Sequence, residues 1–358
     1  MRLSSVSRAI VVVICGVLLG IAAFGFSRRD ETTPLAVPNT TMTSAAPTSS
    51  SAATTSVMTT RPTTTTTQPP RGSLVIHGVG DVNTDTGYIP ALADNGHAYA
   101  WRGLDGLFLD DDLTIINLEC TPSDLGEPLN KEFIFRCDTA SLPVMESAGV
   151  DVANLGNNHS GDHGKEALVD GRAQVEAAGI LPVGAGENAA EAALPAVVDV
   201  NGWTVAVVGF GGIYPSLDWF ATSERPGMAD GDTIESMVDA VRAADDIADL
   251  VIVTIHWGVE LDTEPDPEDR RRAEAMIEAG ADVIFGHHAH RLQPLEVVDG
   301  VPVAWNLGNF VWPDFSVPGS TTAIARIEVS PEGEMKSCLI PAFISAPGRP
   351  EITGDVGC

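Results

Sequence analysis

Between Leu74 and Ile340 short apolar runs recur, and most of them stop at a glycine or a polar residue. Leu74–Val79, Leu113–Leu118 (LTIINL), Asp151–Leu155, Leu250–Ile255 (LVIVTI) and Asp282–Phe285 show little alternation and many β-branched residues, the pattern of strands buried on both faces. Helical spacing is found in Ala98–Leu109, in Ala140–Ala148, from Gly161-Asp162-His163-Gly164 to about Ala178, and in Ile234–Ile247. It is found again in Pro267–Ala279, whose proline suits a first turn. The turn dipeptide Asn201-Gly202 joins Ala196–Val200 to Trp203–Phe210 as a hairpin. Phe133–Arg136 reads as a short extended piece, and Leu295–Val298, Val301–Asn306, Thr321–Val329 and Glu334–Ile340 read as antiparallel β. Strands alternating with helices predict an α/β fold in which a central sheet is covered on both faces, with ligands gathering at the carboxyl ends of strands.

The N-terminal fifth has a different pattern. Ala9–Phe26 is an uncharged apolar run of 18 residues with Arg2 and Arg8 before it and Arg28 and Arg29 after it, just long enough to span a bilayer. No small-x-small site precedes Ser27, which favours an uncleaved signal anchor; a cleaved signal peptide is the competing reading. From Glu31 to Gly72 the chain is Thr, Ser, Pro and Ala with almost no large apolar side chain, too little to bury for folding. The expected organisation is a cytoplasmic N-terminus (1–8), a transmembrane anchor (9–26), a disordered linker (27–72) and one folded domain (73–358). A single-pass cell-membrane protein with its folded domain extracellular follows from that order, the linker holding it tens of ångströms from the bilayer.

Charge and cysteine content sharpen this expectation. Of 20 basic and 49 acidic groups, six arginines and two acids lie in residues 1–72, so the domain carries 14 basic against 47 acidic groups, a net charge of −33. Nucleic acid is excluded as a natural partner, and a polyanionic substrate would be repelled except where bound cations reverse the field. Outside the apolar run there are four cysteines, Cys120, Cys137, Cys338 and Cys358, whose spacing fits no zinc motif and whose even number in an exported domain suggests disulfides. Pairing Cys120 with Cys137 and Cys338 with Cys358 would close two local loops; three pairings are open.

The candidate chemistry sits at the strand ends. Asp81 follows the first strand, Glu119 the second, Asn157-Asn158-His159 the third, His256 the LVIVTI strand, and His287, His288 and His290 the Asp282–Phe285 strand. Carboxylates, amide oxygens and imidazoles without thiolate suit Mn, Zn or Fe. Glu119 could bridge two such ions, and His159, next to an amide ligand, could protonate a leaving group.

Six motifs occur in order: Gly80-Asp81, Asn117-Leu118-Glu119, Asn157-Asn158-His159-x-x-Asp162-x-Gly164, His256-Trp257-Gly258-x-Glu260, Gly286-His287-His288-x-His290 and Asn306-Leu307-Gly308-Asn309-Phe310. This set resembles the CapA-type poly-gamma-glutamate capsule synthesis proteins, a branch of the calcineurin-like metallophosphoesterase superfamily, over about residues 74–312. The resemblance implies a four-layer α/β/β/α sandwich with a two-metal site. It implies Asp81, Glu119, Asn158, His256, His288 and His290 as ligands and His159 as the acid, with Asn83, Asn157, Asp162 and His287 as further candidates. Asn83 stands where the wider superfamily has histidine, and Glu119 where it has aspartate. The function implied is synthesis, export or attachment of a cell-surface polymer of the poly-gamma-glutamate type, with the polymer or its precursor and other synthesis or export proteins as partners. An extracellular phosphoesterase on small phosphorylated substrates and a non-catalytic polymer-binding or scaffolding domain are the alternatives.

Overall fold

The computed structural model describes residues 70–358, so the expected anchor at 9–26 and nearly all of the expected linker lie outside the described residues. Among the described residues no helix is long and apolar enough to cross a membrane. The strands in chain order are β1 (Leu74–Val82), β2 (Leu113–Leu118), β3 (Val152–Asn154), β4 (Leu181–Val183), β5 (Ala185–Gly186), β6 (Ala196–Val200), β7 (Trp203–Gly211) and β8 (Gly227–Met228). They continue with β9 (Leu250–His256), β10 (Val283–His287), β11 (Leu295–Val298), β12 (Val301–Ala304), β13 (Asn309–Val311), β14 (Thr321–Val329), β15 (Met335–Ala346) and β16 (Arg349–Ile352).

Two large sheets result. The first runs β16-β15-β14-β1-β2-β3-β4, with β13 also paired to β1; the second runs β11-β12-β10-β9-β7-β6, and β5 pairs with β8. In the first sheet β1 to β4 are parallel and β14 to β16 antiparallel. In the second, β7, β9, β10 and β12 are parallel, and β6 and β11 close the edges antiparallel.

A single central sheet, the expectation from alternation alone, is therefore corrected to two packed face to face. The uninterrupted apolar runs arise because each strand feeds two cores. Leu113 and Ile115 of β2 enter the core between the sheets, whereas Ile116 and Leu118 enter an outer core beneath the helices Leu142–Ser147 and Lys165–Ala177. In β9, Ile252 faces the shared core, and Val251 and Val253 face the helices Ile234–Asp245 and Pro267–Glu278. The layers are thus helix, sheet, sheet, helix. Gly78 marks a close approach of the sheets: a Cβ there would lie 2.7 Å from the Phe285 ring, so any larger residue would push the layers apart.

Element boundaries differ from expectation where backbone geometry decides. The segment expected as a helix at Ala98–Leu109 forms two 3-10 stretches, His97–Leu104 and Leu107–Leu109, broken by Asp105 and Gly106 in the left-handed region. The Gly161–Gly164 segment makes turns and the helix starts at Lys165, because Gly164 has φ 90°. Helix Pro267–Glu278 starts as read, with Pro267 in its first turn and the Asp266 carboxylate accepting from the Glu268 N–H. Strand β1 extends to Val82, so Asp81 lies within its last turn of pairing, opposite Asn117 and Asn309.

Candidate metal centre

Parallel strands from both sheets end at one place. β1 and β2 bring Asp81 and Glu119, the turn after β3 brings Asn157-Asn158-His159, and β9 and β10 bring His256 and the His287–His290 turn. Glu119, His256 and His288 each offer a ligand atom, all within 4.8 Å of one another, and so do Asp81, Glu119 and His290. Glu119 belongs to both groups. Asn158 Oδ1 lies 2.8 Å from His256 Nε2, and His159 Nε2 lies 3.9 Å from Glu119 Oε1. Asp81, Glu119, Asn158, His159, His256, His288 and His290 are thereby brought together.

The remaining candidates sit differently. His287 Nε2 faces the Thr254 hydroxyl at 2.9 Å, and its Nδ1 is 3.9 Å from Asp81, so it is His288 that reaches His256, at 3.1 Å. Asn83 accepts from the Asp85 N–H, and no hydrogen bond links its side chain to the cluster among the described residues. Asn157 is a brace: its Nδ2 donates to the Leu118 carbonyl, and its Oδ1 accepts from the His159 N–H. Asp162 orients His159, with Oδ2 2.6 Å from Nδ1.

Several features shape this geometry locally. His288 and His290 have φ values of 91° and 52°, left-handed angles that non-glycine residues take at a cost, so the turn after β10 is held by its surroundings. At Gly80 a Cβ would fall 2.0 Å from the Gly308 carbonyl oxygen, so only glycine lets the 306–310 segment lie against β1 beside Asp81. From that segment Asn309 Oδ1 reaches His290 Nδ1 at 2.7 Å, and Asn117 Nδ2 donates to Asp81 Oδ1 at 2.9 Å. Lys131 donates to the Asn158 carbonyl and pairs with Asp162. These three roles escape a reading by strand ends. Asn117 and Asn309 lie inside quoted motifs, whereas Lys131 comes from a loop with no pattern.

Burial dominates the electrostatics. Burial pulls the imidazoles of His256, His288 and His287 down, His288 to about 3 and His287 to about 4, so they are neutral and able to ligate. Burial also lowers His159, partly opposed by Asp162. Burial works against the charge of both Asp81 and His290, yet their mutual contact outweighs it, holding Asp81 below its ordinary value and His290 above. Glu119 has no hydrogen-bonded partner of that kind among the described residues. Burial first, then the charge of Asp81, pushes its carboxyl well up, and both of its oxygens are buried without a hydrogen bond among the described residues. A fully buried carboxylate without hydrogen bonds amid imidazoles is what a cation site presents when its ligands are counted alone, so the donor set fits divalent metal.

Cys120, next to Glu119, is bonded to Cys137, and Cys338 to Cys358. A cleft of about 270 Å³ opens beside the cluster, lined by His159, His290, Arg291 and several aromatic rings.

A mixed α/β sandwich with carboxylates and imidazoles converging on strand ends defines the class. Within it, residues 75–314 match the model of the bacterial capsule synthesis protein PGA_cap family, and the chain belongs to that family. It is 34% identical over 184 residues to the PGA biosynthesis protein CapA of Bacillus subtilis, covering 51% of this chain and 48% of that protein. It is 33% identical over 207 residues to the capsule biosynthesis protein CapA of Bacillus anthracis, covering 57% and 50%. A probable polyglutamine synthesis accessory protein of Mycobacterium tuberculosis is 31% identical over 210 residues, covering 56% and 55%. The chain spans about half the length of these curated relatives.

Proposed function

We propose that this chain is a metal-dependent accessory protein of capsule or poly-gamma-glutamate synthesis, acting in the synthesis, export or attachment of the polymer. Residues 9–26 anchor it in the cell membrane, and the domain from residue 73 stands outside. Glu119 is the observation that carries metal dependence: it is buried, without a hydrogen bond among the described residues, and common to two ligand groups. Asp81, Glu119 and His290 would hold one ion, and Glu119, His256, His288 and Asn158 a second, of the Mn, Zn or Fe kind. Bound there, such ions supply polarisation of a phosphoryl or amide oxygen and screen the substrate's negative charge.

The chain's own groups account for the remaining chemistry. His159, with Nδ1 committed to Asp162, presents Nε2 to the reacting group and exchanges a proton there. Lys131 fixes the turn that carries it through the Asn158 carbonyl. The layer order and the donors at strand ends support a metallophosphoesterase-like fold. Two disulfides support an oxidising compartment outside the cytoplasm. The names of the relatives support a polymer or its precursor as the partner.

A second reading, an extracellular phosphoesterase on small substrates, is favoured by the small cleft beside the cluster, whose walls are mostly aromatic with Arg291 as their cation. Elemental analysis of the untagged chain tests the metal reading: a pair of ions per chain is expected, with less in Glu119→Gln and His256→Ala. A chain without bound metal would leave a non-catalytic polymer-binding or scaffolding domain.

A further inference from the structure

Five aromatic side chains lead outward from the cluster. His159 lies tilted against Phe135 with ring centroids 4.3 Å apart, and His290 against Trp312 at 4.8 Å. Tyr88 joins the two branches, 4.5 Å from Phe135 and 5.8 Å from Trp312. Beyond them Phe315 lies 6.1 Å from Tyr88, and Phe133 lies 6.4 Å from Phe135. All five line the same cleft, whose floor is His159 and His290. The inner rings are packed, but at the mouth Phe133 is 55% exposed and Phe315 74% exposed. These two rings add little to the fold where they stand, and both border a concave apolar space that ends at charged chemistry.

The polar groups of the cleft give it a direction. Arg291 lines it with a guanidinium whose Nη1 bonds only the His290 carbonyl, at 2.7 Å, and which has no carboxylate partner among the described residues. Glu260 lines it as well, a negative charge that disfavours an occupant carrying many anionic groups. A bare polyanion repeats its charges and offers no ring to these walls. A compact anion with one ring matches them: the anionic end faces the cluster and Arg291, and the ring faces the phenyl groups.

We propose that this cleft is a ring-binding subsite for a small molecule whose phosphoryl or carboxylate group is joined to a planar ring. Placement of the anionic end rests on the metal-centre reading; placement of the ring does not.

Isothermal titration of the full chain, with and without Mn, against phenylphosphonate and methylphosphonate, and against phenylacetate and acetate, separates the parts. With Mn, the ring-bearing member of at least one pair should bind about tenfold tighter than its methyl counterpart. The pair with the larger Mn-dependent affinity identifies the anion as phosphoryl or carboxylate. In a Phe133→Ala/Phe315→Ala variant, whose exposed positions spare the core and whose melting temperature checks folding, that ratio should fall toward one. Equal affinity within both pairs, or a ratio that survives the double substitution, overturns the subsite. A ring preference that persists without Mn, together with methylphosphonate and acetate binding indifferent to Mn, would sink the metal-centre reading and leave the subsite standing.

Discussion

Glu119 is held where its own ionisation is unfavourable, and that defines what its replacement should do. In Glu119→Gln the buried charge is gone, so in EDTA the variant should melt no lower than wild type and gain up to about 1–2 kcal/mol. With Mn added, wild type should rise and the variant should not. Differential scanning fluorimetry in the two buffers checks both, and a variant stabilised by Mn as much as wild type would contradict the ligand role. A second residue gives a pH dependence away from the site. Burial raises Asp151 from 3.8 to about 6, against the hydrogen bond its carboxylate accepts from the Thr114 N–H. The folded chain therefore binds this proton more tightly than the unfolded chain, and stability falls as pH rises from about 4 to about 6. Asp151→Asn keeps the acceptor and flattens that slope. At pH 7 the variant should lead by about 1 kcal/mol, allowing for the partial exposure of the group, as urea melts at pH 4 and pH 7 would reveal. At this scale the sequence was most legible where a buried strand stops at a polar donor, as at Asp81, Glu119 and His256. It was least legible for Asn117, Asn309 and Lys131, because a side chain that braces a ligand has the same residue type as one that closes a turn.

Single elements were readable wherever a local rule acts alone. Helix Pro267–Glu278 carries its own start signal, and Asp266→Ala should cost about 1 kcal/mol in chemical denaturation, the ordinary loss of an N-cap. The bond from Cys120 to Cys137, 17 residues apart, ties the end of β2 to the segment bearing Phe133 and Phe135. Replacing both cysteines with alanine should lower stability by about 3 kcal/mol by the loop-entropy account. It should also weaken Mn binding measured by titration, because Glu119 adjoins Cys120; an unchanged Mn affinity would make the bond a staple of the fold alone. Elements set by tertiary context were not readable. β4, β13 and β16 have three or four residues each and take their extended form from neighbours already in place. The 3-10 stretches at 97–109 keep helical spacing but are broken by left-handed backbone at Asp105 and Gly106.

For the whole molecule, the α/β class was legible from alternation, and the division into two sheets was not. Val251 and Ile252 point to different cores yet are equally apolar, so the run containing them is silent about which sheet it joins. The acidity of the domain was legible and bears on stability. A cation bound at the convergence of both sheets should brace them together, and at a hundredfold excess over its dissociation constant it adds about 2.7 kcal/mol. The melting temperature of wild type should thus climb with Mn concentration and return with EDTA.

β1 has a further consequence. It supplies Asp81 near the beginning of the domain, yet two of its hydrogen-bonded neighbours are β13 and β14, made more than two hundred residues later. During vectorial synthesis the strand therefore waits with an open edge while most of the chain emerges, and the partners of Asp81 at 288–309 arrive only near the end. A nascent chain halted before residue 321 has every proposed ligand but not β14, the strand that pairs Leu74–Gly78 and closes the open edge of β1, so competence would come late and all at once.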